Sequence, residues 1–114
     1  MQTIRFYVQA GVGSGFDINA IQDAAGSSVQ LTVSFGAPSE SGNLGIDVYD
    51  VAGRRVWFNR QYIAAGSTYY SATWNLDDYG HRAVPSGVYI YKATLEGSKT
   101  KAKTKGKKML LKRP

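Results

Sequence analysis

Leu44-Gly45-Ile46-Asp47-Val48-Tyr49-Asp50-Val51-Ala52-Gly53-Arg54-Arg55-Val56-Trp57 holds a strand pattern, a turn and the start of a second strand in one unbroken run. Leu44, Ile46 and Val48 alternate with Gly45, Asp47 and Tyr49, the two-residue period of a strand with one face buried and the other in water. Asp50 then opens a turn that Gly53 closes. An Asp at the first position of a type I turn accepts hydrogen bonds from N–H groups ahead of it, and a Gly at the fourth takes positive φ and lets the return strand begin with a bulge. Residues 54–57 are that return strand, so the chain specifies a β-hairpin by its own local chemistry.

Outward from this hairpin, strand signals dominate. Residues 3–10 read as a strand, followed by the glycine-rich segment 11–15. Residues 16–25 fit two readings. Phe16, Ile18 and Ala20 alternate as in a strand; Asp17 as N-cap, Ile18 with Ile21, and Gly26 as a stop suit a short helix. The alternation favours the strand. Val29, Leu31, Val33 and Phe35 form a clearer amphipathic strand, and residues 38–43 loop back to the hairpin. Beyond Trp57 the pattern continues to Ile63, turns at Ala65-Gly66 and resumes over 68–74. Asp77 and Gly80 repeat the spacing of Asp50 and Gly53, a second use of the same turn chemistry. Pro85-Ser86-Gly87 ends that loop, 88–95 is rich in β-branched and aromatic residues, and Gly97-Ser98 turns the chain into 99–112. Turn signals at this spacing, without a convincing helix, predict an all-β antiparallel sandwich of about seven to eight strands. Leu31, Val33, Phe35, Ile46, Val48, Val56, Trp74, Tyr89 and Tyr91 are its expected core.

Composition agrees. At 114 residues and 43% apolar content the chain makes one domain with a sandwich-sized core. It has no cysteine, so neither disulfides nor a thiolate-bound metal can hold the fold. No apolar run approaches the roughly 20 residues of a membrane-spanning helix. The net charge of +6 is unevenly placed. Eight of the fourteen basic residues lie from Lys99 onward and no acid follows Glu96, leaving a near-neutral body with a cationic C-terminal strand.

Four stretches then line up in order: Ser34-Phe35-Gly36-Ala37-Pro38, the segment Val48-Tyr49-Asp50-Val51-Ala52-Gly53-Arg54-Arg55-Val56, Thr73-Trp74-Asn75, and Pro85-Ser86-Gly87-Val88-Tyr89-Ile90-Tyr91 with Lys108-Met109-Leu110-Leu111-Lys112 at the end. Together they resemble the C-terminal sorting domain of type IX secretion substrates and the related immunoglobulin-like domain of the flagellar hook-capping protein. The resemblance covers residues 28–113. It implies an immunoglobulin-like sandwich placed last in a larger secreted bacterial protein, read by secretion machinery or used for attachment at the outer membrane. Residues 1–27 fall outside the match, as an extra strand or the end of a preceding domain, with 28–114 as the sorting-type domain. The lysine-rich run 99–108 is longer and more basic than the family's usual last hairpin.

Chemistry-bearing residues are few. His81 is the only histidine, and no triad can be built around it. Asp77 and Asp78 with Asn75 suggest turn capping before a calcium site or a glycosidase pair, because neighbours on a turn point apart. The expectation is therefore no catalytic residue, no metal and no cofactor. Tyr69, Tyr70, Tyr89 and Tyr91 are candidates for a sugar-stacking platform, which makes a carbohydrate-binding module one alternative and a flagellar-cap-like assembly domain another. Lys99, Lys101, Lys103, Lys105 and Lys107 fall on every second residue and, in a regular strand, share one face; Lys108 and Lys112 extend the run. That strand is the expected recognition element. Its partner would be secretion machinery or an anionic outer-membrane component, with upstream domains of the same protein beside it. Lysine is also what an edge strand uses to prevent edge-to-edge pairing. Nucleic acid fits poorly, since the run has neither interleaved aromatics nor arginines for bidentate base contact. Asp50, Gly53, Asp77, Gly80 and Gly87 are the expected turn residues.

Overall fold

A computed structural model describes residues 16–36, 40–78, 80–98 and 101–112. The strand expected over 3–10 and the glycine-rich segment 11–15 lie outside the described residues. Eight strands follow in order: β1 (Asp17–Gln22), β2 (Val29–Ser34), β3 (Gly42–Tyr49), β4 (Arg55–Ile63), β5 (Tyr69–Trp74), β6 (Gly87–Gly97), β7 (Lys101–Lys103) and β8 (Lys107–Leu111). They form two antiparallel sheets, one of three strands in the order β1-β2-β5 and one of five in the order β4-β3-β6, with β7 and β8 both paired to β6. The class is all-β, a sandwich.

Within residues 16–25 the strand reading holds over Asp17–Gln22, and Asp23 opens a turn closed by the Gly26 N–H on its carbonyl. Asp17–Gln22 pairs along its whole length with Val29–Ser34, and Ile18 is fully buried. Part of the segment preceding residue 28 is thus a strand of this sandwich. The hairpin of β3 and β4 runs from Gly42↔Ile63 to Val48↔Trp57, then slips by one residue so that Tyr49 faces Arg55. Val56 is the extra residue of that bulge, so it is half-buried against the core rather than part of it.

The core lies between the sheets. Val29, Leu31 and Val33 of β2 and Ala72 and Trp74 of β5 face Leu44, Ile46 and Val48 of β3 and Tyr89, Tyr91, Ala93 and Leu95 of β6. Trp74 is its largest fully buried side chain. It meets Tyr89 edge-on at 5.7 Å, while its Nε1–H donates to the carbonyl of Asp77 at 3.0 Å. Burying an indole without a partner for its N–H would cost free energy, and this bond removes that cost. The Tyr89 hydroxyl likewise donates to the Pro85 carbonyl at 2.7 Å.

One side of the sandwich is closed by side chains. Lys107 Nζ lies 3.0 Å from Asp17, and the Gln22 amide pairs with the backbone of Lys112, donating to its carbonyl at 2.6 Å and accepting from its N–H at 3.2 Å. Strand β1 of one sheet is thereby tied to β8 of the other. On the opposite side the edge strands β4 and β5 are linked by the Tyr70 hydroxyl, which donates to Asn59 Oδ1 at 2.9 Å.

Candidate functional site

The lysine run is divided between two faces by a single structural device. Thr94 faces Lys103 and Tyr91 faces Lys107, so four residue steps on the edge oppose three on β6. A one-residue excess moves every following side chain to the other face. Lys101 and Lys103 therefore stand with Glu96 and Thr94 on the outer face, whereas Lys107, Met109 and Leu111 stand with Tyr91, Tyr89 and Gly87 on the inner one. In a regular strand Met109 and Leu111, being odd-numbered like the lysines, would have been thrown outward. Thr104 holds the irregularity: its N–H donates to the Ala93 carbonyl at 2.9 Å, and its hydroxyl accepts from the Ala93 N–H at 3.0 Å. Gly106 follows, where a Cβ would come within 3.0 Å of Ile90.

The lysines thus have different roles. Lys101 and Lys103 are exposed, Lys101 within 3.5 Å of Glu96. Lys105 is exposed in the irregular segment and Lys108 on the outer face opposite Ile90. Lys107 is half-buried, bound to Asp17 and, at 3.3 Å, to Asn19, so it serves the seam. Lys112 is exposed while its backbone pairs with Gln22. Lys99 lies outside the described residues. The single shared lysine face expected from a regular strand is replaced by a smaller set, Lys101, Lys103 and Lys108.

That set extends into a broader surface which sequence reasoning missed. Register places Lys108, Ile90, Tyr49 and Arg55 in one row across the five-stranded sheet, and Lys103, Thr94, Gly45 and Arg60 in another. Between them lie Lys92, Asp47 and Phe58. Asp47 is only 7% exposed and is held by two guanidiniums, Arg55 Nη1 and Arg60 Nη2, each at 3.2 Å. Both guanidiniums also lie over the Phe58 ring, at 4.7 and 4.9 Å from its centroid, and the Lys92 ammonium lies 5.3 Å from that of Tyr49. Cation–π contacts of this exposed kind contribute about 0.5–1 kcal/mol each. Gly45 makes room for Arg60, because a Cβ there would meet its Nη1 at 3.1 Å. The sequence signal was Asp47 itself, an acid at an outward position of an apolar strand with two arginines on the next strand.

The turn chemistry does occur twice. Asp50 Oδ1 accepts from the N–H groups of Ala52 and Arg54, and Asp78 Oδ1 from those of Gly80 and Arg82. The Gly53 N–H returns to the Asp50 carbonyl, and the His81 N–H to that of Asp78, each at 3.0 Å. Asp78, not Asp77, is therefore the counterpart of Asp50, and His81, not Gly80, that of Gly53. Gly53 has a φ of +87° and His81 a φ of +60°, whereas Gly80 does not have positive φ. Asp77 instead bridges to Ala83, and Gly87 opens β6. Hydrogen bonds from the Arg54 and Arg82 backbones are the foremost cause holding the Asp50 and Asp78 carboxyls below the usual range. The Lys107 hydrogen bond does the same for Asp17.

The proposed tyrosine platform does not assemble. Tyr89 and Tyr91 are in the core, Tyr70 is half-buried with its hydroxyl on Asn59 at 2.9 Å, and Tyr69 alone stands exposed on the other sheet.

No protein-family profile matches the chain, and no curated protein matches it in sequence. Solved structures do. PorU from Porphyromonas gingivalis, in its dimeric latent form, superposes on 98% of this chain with a TM-score of 0.77 at 16% identity, and the matched part is 10% of that chain. FlgD from Xanthomonas campestris, a protein of hook capping in flagellar assembly, matches 84% of this chain with a TM-score of 0.52 at 20% identity, over 65% of its own length. FlgD from P. aeruginosa matches 90% with a TM-score of 0.54 at 20% identity, over 77% of its length. The chain therefore spans a tenth of PorU and less than two thirds of the Xanthomonas FlgD chain, and shares its fold with both kinds of protein.

Proposed function

We propose that this domain is a non-enzymatic C-terminal sorting or surface-attachment module of a larger secreted bacterial protein. The observation that carries the reading is the superposition of nearly the whole domain, at a TM-score of 0.77, on a tenth of PorU: the unit recurs as a small part of a much longer chain. The motifs quoted above for type IX sorting domains support it independently, and the weaker superposition on FlgD supports a flagellar-cap-like role as the second reading. In this reading the outer face of the five-stranded sheet meets the secretion machinery or an outer-membrane component. Lys101, Lys103 and Lys108 contribute charge that steers the encounter over roughly one Debye length, about 8 Å at physiological salt.

A reporter fused upstream of the domain, in a host with type IX secretion, tests this. The reporter should reach the medium or cell surface with the domain and stay inside without it. Retention of the intact fusion while the host exports its own substrates would refute sorting. Changing Lys101, Lys103 and Lys108 to Gln touches no core contact, so export should fall several-fold while thermal melting stays within a few degrees. Unchanged export would remove these lysines from recognition.

A further inference from the structure

Beside Trp57, at the β4–β5 side of the sandwich, a cleft of about 310 Å³ is lined by Trp57, Thr73, Trp74, Asn75, Asp77 and His81 among others. This size is at the low end of small-molecule sites, enough for one ring rather than a chain. Its wall is the half-buried Trp57 indole, kept in place by Trp74 behind it at a centroid distance of 6.2 Å and a tilt of 30°. Thr73 is engaged with Gln30 and the Asp78 carboxylate with its own turn. Asn75, Asp77 and His81, by contrast, have side chains that bond to no other described residue.

The backbone at His81 points the same way. The two Asp turns share their backbone hydrogen bonds and those to the carboxylate Oδ1, yet where the first has Gly53 at the left-handed position the second has a histidine with φ of +60°. A side chain with a Cβ is disfavoured there relative to glycine. The chain tolerates that cost in the turn whose residue lines a cleft, and not in its twin.

We propose that this cleft binds a single pyranose ring, such as the terminal sugar of a glycan, with the apolar face of the ring on Trp57 and its hydroxyls on Asn75, Asp77 and His81. An indole face matches the C–H face of a sugar. The three polar groups supply both donors and acceptors, as vicinal hydroxyls require; a purely cationic ligand would need acceptors alone. The site lies apart from the outer face of the five-stranded sheet and does not rest on the sorting assignment.

The test is a ¹⁵N NMR titration of the full chain with the methyl pyranosides of glucose, galactose, mannose and N-acetylglucosamine, and with N-acetylarginine amide as the cationic comparison. A ligand of this size at ordinary efficiency binds with a Kd on the order of 1 mM. At least one pyranoside should give saturable shifts at the Trp57 indole N–H and the His81 amide. His81→Gly, which copies the twin turn, should melt at or above the parent temperature and bind that sugar at least about tenfold more weakly. Absence of saturable shifts with all four sugars overturns the proposal. So does a response to the arginine amide alone, or a His81→Gly variant that binds as the parent does.

Discussion

Gly53 and His81 occupy the same place in two turns, and a Cβ at that place is disfavoured in both. Gly53→Ala introduces a Cβ at φ of +87°, a cost of about 1–2 kcal/mol that the lower entropy of the unfolded chain offsets by only about 0.4–1. Thermal denaturation should show a net loss on the order of 1 kcal/mol. Gly80→Ala should be neutral or slightly stabilising, within about 0.5 kcal/mol, because its φ is not positive and the new Cβ meets Asp78 Oδ1 at an ordinary 3.4 Å. Equal losses at the two glycines would refute the assignment of the twin turns. Spacing in the sequence pointed to Asp77 and Gly80; the adjacent Asp77-Asp78 pair left the turn free to start one residue later, and only the hydrogen bonds decide between them. Acid sensitivity belongs to the same residues. Asp17, Asp23, Asp50 and Asp78 all have carboxyls held below their ordinary range, so the unfolded chain binds more protons as pH falls. Their stabilisation is full above the unfolded value of about 3.9 and is lost as pH drops through the lower native values. The melting temperature should therefore fall below about pH 4, and Asp78→Asn should flatten that fall.

At the scale of elements, the edge of the five-stranded sheet shows how little separates an anchor from a free surface. Leu111 is 1% exposed and its neighbour Leu110 is 62% exposed, and the irregularity after Lys103 decides which of the two turns inward. Leu111→Ala should cost about 2–5 kcal/mol in chemical denaturation, while Leu110→Ala stays within about 0.5. Reversal of that order would mean the edge strand carries the opposite face inward. The hairpin of β3 and β4 was legible from its alternation and turn residues, and so was the pairing of β7 and β8 with β6, which the short Gly97-Ser98 turn requires. The bulge was not: alternation predicts one face for all the odd-numbered residues, and a two-way hydrogen bond between Thr104 and Ala93 is invisible to any periodic pattern. The cation–aromatic cluster was hidden for a related reason. Arg55 reaches the Asp47 side only because the β3–β4 pairing slips between Val48 and Tyr49.

Across the whole molecule, the sandwich was legible because its two faces carry different compositions, apolar between the sheets and polar or charged outside. The cleft beside Trp57 was not, since it joins residues of β4, β5 and the loop after β5 that share no spacing rule. The seam of β1 and β8 has a further consequence, in time rather than in space. Gln22 and Lys112 are 90 residues apart in sequence, as are Lys107 and Asp17. Folds dominated by such distant pairings form slowly, because chain entropy must be given up before the contacts are made. During synthesis the seam cannot close until residue 112 has emerged, whereas the β3–β4 hairpin is free to form as soon as Ile63 is available. The domain therefore has a built-in order of assembly, an early local nucleus and a late latch.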